Sequence, residues 1–125
     1  MAIVYAPGEI VEEVLPEDRD KPKEDQTVVV MKVPDQTTQR QILRLHSRFQ
    51  GDPMERLRTS FGLQIEDIRN FKILRAGKLE DFVMEKDADG RITTASMALL
   101  SWKAEQIQAC LDKLGHVSRD DVKNS

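Results

Sequence analysis

The chain has 125 residues, the size of one domain. With 39% apolar residues, 33% charged residues and a net charge of −3, it can bury one core but is not a general nucleic-acid coat. A single cysteine, Cys110, excludes a disulfide-stapled scaffold, and charge-free apolar runs such as Thr27 to Met31 are far too short to span a membrane.

Charge is distributed in blocks. Residues 1–31 carry eight acids and three bases, residues 32–75 nine bases and five acids, and residues 76–125 seven bases and nine acids. The N-terminal sequence Met1-Ala2-Ile3-Val4-Tyr5-Ala6-Pro7 has neither a basic region nor a long apolar stretch, so it does not read as a secretory signal. Glu9 to Leu15 can add an edge strand, although its alternation is poor. Pro16 to Asp25 holds no large apolar side chain and reads as a solvated loop. Residues 1–26 are therefore expected to form an extended acidic segment, 27–115 a globular domain and 116–125 a polar, flexible tail.

Thr27 to Val33 is β-branched and apolar and reads as a strand covered on both faces, stopped by Pro34. A helix is expected from Gln36 to Gln50, capped by Asp35 or Thr38, with Ile42, Leu45 and Phe49 on its apolar face, Leu43 beside them, and Gly51 as its stop. A second helix starts at Pro53 behind an Asp52 cap. Glu55 is placed to close a capping box, Met54, Leu57 and Phe61 to face inward, and Gly62 to end the helix. Ile65 to Arg69 reads as a helical turn, Asn70 to Arg75 and Leu79 to Lys86 as strands joined by Ala76-Gly77-Lys78, and Asp87-Ala88-Asp89-Gly90 as a turn before Arg91-Ile92. Helices close the chain: Thr94 to Leu99, then Trp102 to Leu114 capped by Ser101, with Ile107, Cys110, Leu111 and Leu114 on one face and Gly115 as the stop. The expected class is α+β, a small antiparallel sheet packed against two or three helices, with the extended acidic segment in front.

Motifs for chemistry are absent. Glu85 to Ile92 has the outline of a calcium loop, but position 1 is Glu85 and position 12 is Ser96, which cannot supply the bidentate carboxylate. A hairpin turn is the expected reading. Neither His46, His116 nor Cys110 has metal-ligand spacing, and Cys110 reads as a buried small hydrophobe. Ser60, Ser96 and Ser101 lack nucleophile-elbow glycines, and no glycine-rich loop is built for phosphate. No enzyme, cofactor or metal site is expected.

The one charged pattern with a use is Arg40, Arg44 and Arg48, which recur every four residues and form a basic row on the first helix, followed by Arg56, Arg58, Arg69, Lys72 and Arg75. Such a row can track phosphates, dock an acidic partner, receive the chain's own residues 9–25, or simply be solvated. Few aromatics are placed to stack on bases, so nucleic acid is not the expected partner.

Three stretches taken together carry a resemblance. They are the acid-and-lysine loop running into a strand from Asp18 to Val30, the helix opening Val33-Pro34-Asp35-Gln36-Thr37-Thr38-Gln39-Arg40, and the segment Phe61 to Phe71, followed by Asp89 to Ser96 and a closing amphipathic helix. Over residues 16–114 this order resembles, by architecture, the small accessory proteins of tailed-phage structural gene clusters, of the tail assembly chaperone type. Phe71 to Asp81 is also similar to a ubiquitin-like β-grasp strand and turn, which the two preceding helices fit poorly. The chaperone resemblance implies a non-enzymatic protein of the host cytoplasm that binds another phage structural protein, of the tail tube or tape-measure kind. It supplies no catalytic residues. The alternatives are a structural virion component (tail, connector or decoration protein) and a small nucleic-acid-associated regulator using Arg40, Arg44 and Arg48.

Overall fold

A computed structural model describes residues 3–115 and has the expected α+β architecture. Ile10–Val14 forms β1, Val28–Lys32 β2 and Ile65–Arg69 β3, which pair antiparallel in the order β1-β2-β3. Helices α1 (Gln36–Arg48) and α2 (Pro53–Gln64) form a hairpin between β2 and β3. Lys72–Arg75 (β4) and Lys78–Asp81 (β5) make a separate two-stranded sheet, and α3 (Thr94–Leu100) and α4 (Ala104–Asp112) close the described chain.

β2 is central because its β-branched residues pair on both edges. Its inner face buries Val29 and Met31 completely, whereas Val28 and Val30 on the other face are only partly covered, so one face rather than both is core. On that second face Glu12 of β1 ion-pairs with Arg69 of β3.

The segment Ile65 to Arg69 corrects a helical expectation. Ile65 and Ile68 have the i, i+3 spacing of a helix face, and both are buried. They reach the same side of a sheet because the register with β2 shifts by one residue between Val30 and Met31, setting Ile65 opposite Met31 and Ile68 opposite Val29. The extra residue, Glu66, is a bulge, which lets an i, i+3 pair face one way in a strand.

Gly62 does not end α2. The helix continues to Gln64 and passes directly into β3. Gly62 is required instead by close approach, since a β-carbon there would stand 2.6 Å from the α-carbon of Arg91. Met54 is exposed, so only Leu57 and Phe61 of the expected inner face turn inward. Ser101 does not cap the last helix either. Its hydroxyl donates back to the Ala98 carbonyl at 2.9 Å within a short 3-10 turn, and α4 begins at Ala104. The two strands expected over 70–75 and 79–86 are shorter than their apolar content suggested. Asn70 adopts a left-handed conformation (φ 59°), and past Asp81 only an isolated bridge between Lys86 and Ile92 remains.

The acidic segment is tied down more than its composition implies. β1 belongs to the sheet, and Leu15 is core. Asp18 is only 4% exposed; its carboxylate accepts from the Thr27 N–H and from Lys21 Nζ, both at 2.8 Å. Asn70 Nδ2 donates to the carbonyls of Glu24 and Gln26. The remaining residues of 16–25 are mostly exposed, as a solvated loop should be. His116 and the expected tail over 116–125 lie outside the described residues.

The core is one cluster in which Met31, Phe61, Ile65, Ile92, Met97, Leu100 and Ile107 are essentially inaccessible. Cys110 sits in it as expected, its Sγ 3.7 Å from the Val14 carbonyl.

Candidate partner-binding surface

The start of α1 is fixed by Asp35, whose carboxylate accepts the Thr38 N–H at 2.7 Å and is held below its ordinary pKa by that bond. From this start, the four-residue spacing sets Arg40, Arg44 and Arg48 in one row, and all three are exposed. Leu45 is buried beneath the helix, while Leu43, expected beside the apolar face, stands out at 69% exposure next to the row. Arg48 lies 5.4 Å from the Phe49 ring centroid. Among the described residues none of the three arginines has an ion-pair partner.

Four of the eight acids in the N-terminal segment, which might have covered them, are engaged elsewhere. Glu12 pairs with Arg69, Glu13 with Lys113 at 3.1 Å, Glu17 with Lys103, and Asp18 with Lys21 at 2.8 Å. The N-terminal segment therefore folds against β3, α4 and the turn before it, and not onto the basic row. Of the bases that follow the row, Arg58, Arg69, Lys72 and Arg75 are also paired. Arg56, like the row, has no ion pair among the described residues; what sets Arg40, Arg44 and Arg48 apart is that three unpaired, exposed guanidinium groups are aligned on one helix.

Behind it lies a half-buried charge network. Glu55, expected to close a capping box, turns its carboxylate instead to Arg91 and Arg58, leaving Asp52 alone to cap α2 through the Glu55 N–H at 3.2 Å. Arg91 is 7% exposed, donates to Thr59 Oγ1 at 3.0 Å and stacks 4.3 Å from the Phe49 ring centroid. The Arg91 hydrogen bond is the main cause holding the Glu55 carboxyl below its usual value, with Arg58 adding to it. The network locks the 87–92 turn onto α2 and so supports α1 from behind.

That turn has the hairpin geometry expected of Asp87 to Gly90. Asp87 Oδ1 accepts from the N–H groups of Asp89 and Arg91, Oδ2 lies 3.5 Å from Arg58, and Gly90 takes φ 81°. Both carboxylate oxygens already face donors. Among the described residues no cluster of three or more His, Cys, Asp or Glu side chains could hold a metal ion.

The fold does bring His46 and Ser60 together. Their ring nitrogen and hydroxyl are 2.8 Å apart, a contact fourteen residues distant in sequence. No third group that would orient the imidazole is seen at this pair among the described residues. The contact serves as a tie between α1 and α2. A cleft of about 380 Å³ between Leu15–Thr27 and Asn70–Lys72 is lined by Lys21, Lys72 and Lys103. Each of these lysines is in an ion pair, so among the described residues lining the cleft no cation is unpaired.

Sequence reasoning missed a second exposed surface. Leu74 and Leu79 are opposite each other across the β4–β5 hairpin, each 72% exposed. Its signal was available: both leucines flank Ala76-Gly77 symmetrically. The left-handed φ values of Ala76 and Gly77 make a two-residue turn that forces them onto one face. Trp102, 85% exposed, is a third such residue.

In comparisons with known proteins, no family model, no curated protein and no solved structure matches the chain. No described helix is long and apolar enough to cross a membrane.

Proposed function

We propose that this protein is a non-enzymatic, protein-binding accessory factor in bacteriophage tail assembly, acting in the host cytoplasm by docking an acidic surface of another phage structural protein, of the tail tube or tape-measure kind, onto Arg40, Arg44 and Arg48. The observation that supports this reading is the state of those arginines. They are exposed and free of ion pairs among the described residues, while Glu12, Glu13 and Glu17 of the chain's own acidic segment are paired to other bases. Three aligned, unneutralised guanidinium groups beside an exposed leucine suit reversible association with fast, salt-sensitive capture. The phage setting comes from the resemblance over residues 16–114.

The distribution of the protein between lysate and finished particles tests the proposal. An assembly factor is found in lysate and is missing from purified virions. Stoichiometric recovery in virions replaces it with a structural tail, connector or decoration protein. A DNA band shift with steep salt dependence at physiological salt replaces it with a nucleic-acid regulator.

A further inference from the structure

We propose that the free edge of β5 pairs with the same edge of a second copy of this chain, joining the two β4–β5 hairpins about a two-fold axis into one four-stranded antiparallel sheet. β4 and β5 form a sheet of only two strands, so among the described residues the outer edge of β5 has no strand beside it. Arg75 and Lys78 close the two-residue turn and form its hydrogen-bonded pair. The alternation that follows points the N–H and C=O groups of Leu79 and Asp81 away from β4. An edge of this kind is a template for another strand.

The side chains select the partner and the register. A two-fold axis normal to the sheet keeps each side chain on its own face, which restricts pairing to residues an even number apart. Setting Leu79 against Asp81 of the other copy would put Glu80 against Glu80. Setting Gly77 against Leu79 would put Lys78 against Lys78. Setting Leu79 against Leu79 puts Lys78 of each copy against Glu80 of the other, twice over. Opposed unlike charges favour a strand pair and like charges disfavour it, so of these three registers one is self-complementary. That register also joins the exposed Leu74–Leu79 pairs of the two hairpins into one apolar stripe, with a Lys72–Asp81 ion pair flanking it on each side. The free edge of β4 offers no such match, since its charged residues, Lys72 and Arg75, are both bases. The isologous contact is closed and ends at two chains.

Sedimentation velocity on the full chain, from micromolar to millimolar concentration, tests this. Wild type should move toward twice the chain mass as concentration rises. Lys78→Glu alone and Glu80→Lys alone each place like charges at both contacts and should raise the association midpoint by about tenfold. Mixing the two variants in equal amounts restores a Lys–Glu pair at both contacts, and the mixture should associate close to the wild-type midpoint. Leu79→Asp lies outside the core and should hold the chain at single mass while leaving its melting curve cooperative. Wild type remaining at single mass at millimolar concentration overturns the proposal. So does a Leu79→Asp chain that associates like wild type, or a mixture no tighter than either variant alone.

Discussion

The backbone of Gly62 lies against that of Gly90, so closely that a β-carbon at position 62 would stand 2.3 Å from the Gly90 carbonyl oxygen. The neighbouring atoms are also backbone, the α-carbon of Arg91 and the nitrogen of Ile92, and cannot rotate away. Gly62→Ala should therefore destabilise the protein by about 2 kcal/mol or more, even though alanine is the better helix former by about 1 kcal/mol. Urea unfolding of the two proteins checks this. An alanine variant as stable as wild type would mean that the 87–92 turn is not held on α2.

Removing the Glu55 carboxylate should be costly for a different reason. Arg91 would keep its buried position and lose its ion-pair partner. Glu55→Ala is expected to cost about 3 kcal/mol. Lys72→Ala, which breaks the exposed pair with Asp81, should stay within about 0.5 kcal/mol. Denaturant midpoints of the two variants measured side by side give the comparison.

Acid should act through Asp18 and Glu55. At Asp18, burial raises the carboxyl, but the bonds from Lys21 and Thr27 outweigh it, and its folded pKa lies below the ordinary value. Glu55 is lowered chiefly by Arg91. For a depressed folded pKa the unfolded chain binds protons first. The stabilisation is thus present above the unfolded carboxylate values of about 4 and is lost as pH falls through the folded values. Melting temperature should fall steeply below about pH 4. Asp18→Asn should begin lower and lose less over the same range, and parallel wild-type and variant curves would contradict the assignment.

Burial pushes the Cys110 thiol up to about 11, with Glu13 adding to the effect. Little thiolate exists at neutral pH, and the residue is 1% exposed. A thiol reagent should label the native chain far more slowly than the denatured chain. Equal rates would place the α4 face outside the core.

Much of the fold could be read from the sequence because local signals agreed with the packing. Asp35 and Asp52 mark both helix starts, β2 is a β-branched run, and Asp87 to Gly90 turns as its composition requires. Two of the errors share one physical origin. Gly62 and the pair Ile65 and Ile68 were read by local rules, a glycine as a stop and i, i+3 spacing as a helix, whereas a backbone contact with Gly90 and a bulge against β2 decide their roles. Partners distant in sequence are invisible to periodicity. The same holds for Asp18, whose burial depends on Thr27, and for Glu55, whose carboxylate goes to Arg91. At the surface, four-residue spacing was enough to find Arg40, Arg44 and Arg48. That they lack ion-pair partners among the described residues could be known only once Glu12, Glu13 and Glu17 had been placed on other bases.

The basic row is tested most directly by reversing Arg40, Arg44 and Arg48 to Glu together in a phage that depends on this protein and counting tailed particles. The three side chains are exposed, so the variant should fold and melt like wild type. With the row reversed, capture of an acidic partner should weaken, more at low salt than at high salt, and lysates should contain particles with missing or aberrant tails. Normal tails in normal numbers from a stably folded triple variant would contradict a docking role for the row.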